Sequence, residues 1–259
     1  MRRRAGALAL IGLAVAGITA ASAAVIQQGN LRITVLSQIQ PYKLPRTEKA
    51  PIAVFVSGHI ATPSGVTPPQ LQRMTVEVNR HGLLQSKGLP VCRLPQVQPA
   101  STERALSQCD DALVGSGRFW ASIVLPDQRP YPTRGRLLIF NGRQGAKPVL
   151  FAHIYTTIPF ATSFVITFAI KRIAEGPYGT ELSASLPQAL GSWGFVDRIK
   201  LILRRKYTYR DRELSYFNAG CPAPGGTRVT SFPLAQASFE FAEQKEVSLR
   251  VEKSCGVSR

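Results

Sequence analysis

Short segments in which apolar and polar residues alternate run along most of this 259-residue chain. A period of two places successive side chains on opposite faces of a β-strand. The strand-like segments are Leu31–Val35, Ile52–Ile60, Met74–Val78, Phe119–Leu125, Leu137–Phe140, Val149–Thr157, Phe164–Ile170, Glu181–Leu186, Phe195–Leu203, Ser231–Phe241 and Val247–Val251. Turns rich in proline and glycine separate them. The pattern predicts an all-β chain, mainly an antiparallel sandwich or a barrel-like sheet with long Pro/Gly loops.

One segment departs from this alternation and predicts a short helix near residues 101–109. Ser101 is a favourable N-cap residue, and Ala105 and Cys109 follow it at helical spacing. We expect this helix to be a connector whose end is joined by Cys109 to the loop that carries Cys92. A lid over a cavity is the alternative.

The N-terminus predicts export. The basic residues 2–4 precede an apolar run, Ala5–Ile18, and the small residues Ala21 and Ala23 stand where a signal peptidase would cut. The apolar run is shorter than the roughly 20 residues that a membrane-spanning helix needs. We therefore expect residues 1–23 to be a signal peptide and the product to be secreted, extracellular or associated with the cell envelope.

The remaining residues, 24–259, are enough for one large β domain. No long linker divides them. We expect a single domain, with two packed halves at about 24–160 and 161–259 as its finer division.

The cysteine count fits an oxidising compartment. Cys92, Cys109, Cys221 and Cys255 are an even number, and in an exported chain they indicate two disulfides. Three pairings are possible. Nearest partners along the chain favour Cys92–Cys109 and Cys221–Cys255, which would hold the connector and the C-terminal strand Val247–Val251.

Charge points to anionic partners. Lysine and arginine number 32 against 15 acidic residues, a formal net charge of +17. Such a chain is attracted to anionic wall polymers and to acidic membrane surfaces. Nucleic acid would attract it equally but is not an expected partner of an exported protein. A merely solvated basic surface is the competing interpretation.

The sequence contains no nucleophile elbow, zinc-protease motif or phosphate-binding loop. The histidines, His59, His81 and His153, are scattered, and we predict no metal site, no cofactor and no catalytic residue. His153 shares a strand face with Phe151 and Tyr155, which could line a pocket, although a buried structural histidine is the simpler interpretation. A hydrolase with a dispersed site is the least favoured alternative.

The strongest local signal is a basic, aromatic segment that begins in the strand 195–203. In strand register its cations share one face, while Ile199, Leu201 and Leu203 lie on the other. Cations can hold phosphates or uronates, and rings can stack on sugars. The candidate binding residues are Arg198, Lys200, Arg204, Arg205, Lys206, Tyr207, Tyr209, Arg210 and Arg212.

These observations predict a non-catalytic envelope or extracellular protein that binds anionic polymers or surfaces. The alternative is a carrier of a lipid or other apolar ligand in a β cavity. It is motivated by Phe164–Ile170, where both strand faces are apolar or nearly so. A filled sandwich core would produce the same pattern.

Two stretches, Cys92–Gly117 and Ala219–Pro224, resemble uncharacterised secreted proteins of high-GC soil actinobacteria. The resemblance extends over most of residues 24–259. It implies an exported protein of a Gram-positive cell, and it carries no known activity and no site residues.

Overall fold

A single 13-stranded sheet dominates the computed structural model, which describes residues 22–123, 130–158, 160–186, 194–242 and 245–258. The strands are β1 Ser22–Gln28, β2 Leu31–Gln40, β3 Lys43–Leu44, β4 Ala50–Pro51, β5 Ala53–Ala61, β6 Leu71–Asn79, β7 Gly82–Leu84, β8 Leu113–Ile123, β9 Tyr131–Gln144, β10 Lys147–Thr156, β11 Thr162–Arg172, β12 Tyr178–Ser185, β13 Gly194–Leu203, β14 Lys206–Tyr209, β15 Arg212–Ser215, β16 Phe217–Ala219, β17 Val229–Phe241 and β18 Lys245–Val257. The predicted all-β class is confirmed.

The large sheet runs in the order β1-β2-β5-β13-β8-β9-β10-β11-β12-β6-β17-β18-β3. Its pairs are antiparallel except for β18 with β3. Two small sheets, β14-β15 and β4-β16-β7, complete the described strands.

The sheet curls until its two ends meet. Ala24 and Ile26 of β1 pack into a core cluster with Leu249 and Val251 of β18. A second cluster fills the middle of the inner face, with Leu137, Ile154 and Leu201 among its members. Burial of these apolar side chains is the main stabilising term of the fold.

Glycines allow the curl where strands approach most closely. A Cβ at Gly117 would lie 1.9 Å from the Lys200 carbonyl oxygen, and one at Gly135 would lie 2.2 Å from that of Tyr155. Only glycine fits such approaches, which is how sheets bend tightly. Both residues lie on the inner face, next to the arginines of β8 and β9.

Each segment that the alternation predicted overlaps a strand, with ends that agree to within one residue or lie inside a longer strand wherever the structure describes them. The predicted segment Phe119–Leu125 ends in residues 124–125, which lie outside the described residues. The short strands β3, β4, β7, β15 and β16 and the edge strand β1 were not predicted from the sequence. They are too short or too irregular to show a period.

The predicted helix is confirmed as α2, Thr102–Cys109, with the Ser101 side chain accepting the Arg104 backbone N–H at 3.2 Å. A one-turn helix not predicted from the sequence, α1 Leu94–Val97, and a 3₁₀ turn, Asp110–Ala112, flank it.

The division into halves at about residue 160 stays a prediction. Strands from both sides of that position alternate in the sheet, with β13 between β5 and β8 and β6 between β12 and β17.

Most of the predicted signal peptide, residues 1–21, lies outside the described residues. Within them, none of the helices is long and apolar enough to cross a membrane.

The helices form a cover, residues 92–112, over the outer face of β9, β10 and β11. Val97 and Ala105 are fully buried and pack with Phe140 and Phe151 from the sheet. The Cys92–Cys109 disulfide ties the two ends of this cover together, and the Cys92 N–H donates to the Asn141 carbonyl at 2.9 Å. The segment thus packs on the sheet as a stapled connector.

The second disulfide, Cys221–Cys255, joins the loop after β16 to the end of β18. The Arg46 guanidinium also holds this loop, donating to the carbonyls of Ala223 and Pro224. Val247–Val251 pairs with β17 residue by residue, so the bridge is not what keeps that strand in the sheet. Both expected pairings are present.

Removal of either disulfide should therefore cost a similar amount. The bridges close loops with sequence separations of 17 and 34 residues. Each should contribute about 3–4 kcal/mol, and one doubling of loop length adds only about 0.6 kcal/mol.

Urea unfolding of Cys92→Ala/Cys109→Ala and Cys221→Ala/Cys255→Ala should give free-energy losses within about 1 kcal/mol of each other. A much larger loss for the second variant would mean that its loop holds the C-terminal strand after all.

Candidate anion-binding face

Strand β13 presents its cations and its apolar residues on opposite faces, as its alternation predicted. Arg198 and Lys200 are exposed on the outer face, while Leu201 and Leu203 pack into the core. The strand is central in the sheet and pairs with β5 on one side and β8 on the other. What surrounds its cations is therefore set by these two neighbours.

The neighbouring strands extend the positive charge sideways. Lys200 lies directly opposite Arg118 of β8, which lies opposite Arg136 of β9. In the adjacent row, Arg198 is opposite Trp120, and Trp120 is opposite Arg134. We call Arg118, Arg134, Arg136, Arg198 and Lys200 the basic face.

All five cations of the basic face are exposed. The ion pairs between described residues join Arg73 to Glu240, Lys206 to Glu213 and Arg250 to Glu252, and none involves the basic face. Like charges directly opposite on neighbouring strands destabilise a sheet by a few tenths of a kcal/mol or more. An anion placed over the rows would remove that repulsion.

One carboxylate lies at the margin of this face. Asp197 accepts a hydrogen bond from the Ser122 hydroxyl at 3.0 Å. Burial raises the pKa of Asp197, an effect that the Ser122 hydrogen bond and the charges of His59 and Arg198 oppose. Asp197 is thus held on its own strand pair and does not neutralise the row of Lys200, Arg118 and Arg136.

A shallow concavity of about 450 Å³ opens beside this row. Lys200, Arg118 and Arg136 line one part of it, and an apolar part follows on β2, β5 and β13. Its apolar residues on the outer face of the sheet are Leu36, Phe55 and Ile202, and Val56 and Leu201 also border it. Leu36 and Ile202 are 42% and 37% exposed.

Beyond Leu203 the predicted basic row leaves the sheet. β14 and β15 form a separate hairpin whose turn residues, Arg210 and Asp211, have φ values of 50° and 59°. This is the left-handed geometry of a tight two-residue hairpin turn. Neither residue is glycine or asparagine, so the sequence carried little signal for it.

Several of the predicted binding residues contact other residues of the same chain. Lys206 pairs with Glu213 at 2.9 Å, and the Arg205 guanidinium donates to the Asp111 carbonyl at 3.1 Å. The Arg210 guanidinium lies 5.3 Å from the centre of the Tyr209 ring. Arg204 and Arg212 are exposed.

The two predicted stacking rings also hold the hairpin. The Tyr207 hydroxyl donates to the carbonyls of Gln85 and Lys87, each at 3.0 Å. A Cβ on Gly88 would lie 2.1 Å from the nearest carbon of the Tyr209 ring, so this ring packs directly against the Gly88 backbone. Both tyrosines thus anchor the hairpin to residues 85–88.

Sequence reasoning missed Arg118, Trp120, Arg134 and Arg136. Their alternation was visible in both strands, but nothing in the chain order says that β8 lies beside β13 with β9 beyond it, since β9 to β12 come between β8 and β13 along the chain. Only the strand pairing joins these residues to Arg198 and Lys200.

His153 does share a strand face with Phe151 and Tyr155, and the helical cover closes over it. Its side chain is fully buried, and neither ring nitrogen makes a well-formed hydrogen bond. Burial lowers the pKa of His153, with a smaller opposing effect of the Val97 backbone. The site holds a neutral imidazole.

The other histidines lie elsewhere. His59 is on the outer face of β5, and burial together with Lys49 and Arg80 lowers the pKa of His81. No ion pair between described residues includes a histidine. In the same residues, no group of three His, Cys, Asp or Glu side chains could hold a metal ion.

The inner face of Phe164–Ile170 faces a packed core. Phe164, Ile166 and Phe168 lie against the cluster that contains Leu137 and Ile154. On the opposite face, Val165 packs under the helical cover. A carrier cavity between sheets stays a prediction.

No protein-family model, no curated protein and no solved structure matches this chain. The site is therefore interpreted from its own residues.

The burial of His153 predicts acid sensitivity. A histidine whose folded pKa lies below its unfolded value of 6.5 contributes stability that is complete at higher pH and is lost as pH falls below that value. The slope from one such group reaches at most about 1.4 kcal/mol per pH unit.

Urea unfolding between about pH 7.5 and pH 5 should show a steeper loss of stability for the native protein than for His153→Leu. The comparison cancels the contributions of His81, Asp197 and the other carboxylates. Equal slopes would mean that His153 titrates as it does in the unfolded chain.

Proposed function

We propose that this chain is an exported, non-catalytic protein of the cell envelope that binds anionic polymers or surfaces through the basic face. The observation that carries the proposal is the cross-strand alignment of Lys200, Arg118 and Arg136 on three neighbouring strands, with Arg198 and Arg134 in the next row. A sheet that only needed solubility would be expected to alternate positive and negative side chains across strands.

The spacing of these cations suits a chain of phosphates. Neighbouring antiparallel strands place opposite side chains about 5 Å apart. Three strands therefore carry cations at intervals that a flexible polyanion can match. Trp120, half-buried between Arg198 and Arg134, offers a ring surface for sugars or glycerol units.

Two disulfides are compatible with export, because such bridges form and persist mainly in oxidising compartments. The basic N-terminus and apolar run of residues 2–18 fit the same location. Such a compartment in a Gram-positive cell exposes the protein to phosphate-rich wall polymers and to acidic membrane lipids.

Neutralising the basic face should weaken polyanion binding selectively. Each exposed charge contact contributes up to about 1 kcal/mol, so Arg118→Gln/Arg136→Gln/Lys200→Gln should lower affinity for a poly(glycerol phosphate) chain about tenfold or more. The dependence of affinity on salt should flatten as well, because fewer counterions are released.

The matched control, Arg32→Gln/Arg143→Gln/Lys147→Gln, removes the same charge from exposed positions outside the basic face. A second variant, Arg204→Gln/Arg210→Gln/Arg212→Gln, tests the hairpin that the sequence suggested. Isothermal titration at several salt concentrations gives the affinities. Equal losses in all three variants would reduce the interaction to bulk charge.

A further inference from the structure

The concavity beside the basic face has a cationic part and an apolar part, and a soluble polyanion would use only the cationic part. Cations line one part, and Leu36, Phe55 and Ile202 line the other. The register places Leu36, Ser57, Lys200, Arg118 and Arg136 in one row, with Leu36 at its β2 end. The next row, two residues along the strands, holds Phe55 and Ile202.

The apolar part of the concavity is a group of neighbouring side chains and not a single exposed residue. Leu36 and Ile202 keep more than a third of their surface exposed, although the strands that carry them are paired on both sides. Single exposed apolar residues are common, but a contiguous group that lines a concavity marks a ligand-binding surface. A volume of about 450 Å³ falls in the range of small-molecule sites.

We infer that the ligand of this site is an anionic lipid whose phosphate lies on Lys200, Arg118 and Arg136 and whose alkyl chain lies along Leu36, Phe55 and Ile202. The inference rests on the proposed function, since it uses the same cations, and it names the class of ligand. Charge complementarity fixes the headgroup end, and the apolar side chains of Leu36, at the β2 end of the cationic row, and of Phe55 and Ile202 in the next row fix where the alkyl chain lies.

A polymer of sugars and phosphates fits this concavity less well. Polar units over Leu36 and Ile202 would gain nothing from those side chains, whereas burial of an alkyl chain removes apolar surface from water on both partners. The site lies on the outer face, so it differs from a cavity between sheets. Its open side would accept a lipid still held in a membrane.

The test uses inorganic phosphate, butyl phosphate, octyl phosphate and dodecyl phosphate as probes, each below its aggregation concentration, in isothermal titration with the full chain. If the alkyl chain is buried, each added methylene should tighten binding about three- to fourfold until the concavity is filled. Inorganic phosphate should bind weakly and without this gain.

Leu36→Ser/Ile202→Ser should abolish the dependence on chain length and leave the affinity for poly(glycerol phosphate) unchanged. The control, Val66→Ser/Val229→Ser, replaces two apolar residues that lie outside the concavity and are more exposed, 58% and 57%, and it should retain the dependence. Circular dichroism and thermal unfolding verify that the variants are folded.

The outcomes separate the two proposals. If alkyl phosphates bind no better than inorganic phosphate while the basic face still holds poly(glycerol phosphate), the lipid inference is overturned and the proposed function stands. If chain-length dependence persists in Leu36→Ser/Ile202→Ser, the alkyl chain binds elsewhere and the inference again fails. If neither polymer nor alkyl phosphate depends on the basic face, both proposals fail.

Discussion

The pairing of β13 with both β5 and β8 is the constraint on which the rest of the account depends. β13 closes the gap between strands from the first part of the chain and brings Arg198 and Lys200 beside Arg118 and Trp120. The close approach at Gly117, where even a Cβ would meet the Lys200 carbonyl oxygen, fixes this register tightly. The same pairing places Ile202 next to Phe55, so it builds the cationic row and the apolar row together.

Local patterns allowed much of the fold to be predicted. Alternation identified the long strands, N-cap chemistry identified α2, and proximity along the chain identified both disulfides. These features depend on neighbouring residues. The curl and the strand order depend on contacts between distant segments, and a single sequence does not show which strand pairs with which.

The candidate site shows the same limit. The alternation of Arg198 and Lys200 was readable, and both lie where it placed them. Extension of the row to Arg210 assumed that the strand continues, whereas a hairpin turn with positive φ at Arg210 and Asp211 diverts the chain. Lys200 lies opposite Arg118 of β8, and Arg136 of β9 follows Arg118 in the same row, an arrangement that only tertiary pairing could reveal.

The most direct test of the central claim is the fluorescence of Trp120, which lies between Arg198 and Arg134 in the basic face. The chain has two tryptophans, so Trp193→Phe leaves Trp120 as the reporter. Titration of this variant with poly(glycerol phosphate) should shift or quench its emission with the same midpoint as binding measured by calorimetry. Binding that leaves the Trp120 emission unchanged would contradict the account, because the polyanion would then contact another surface.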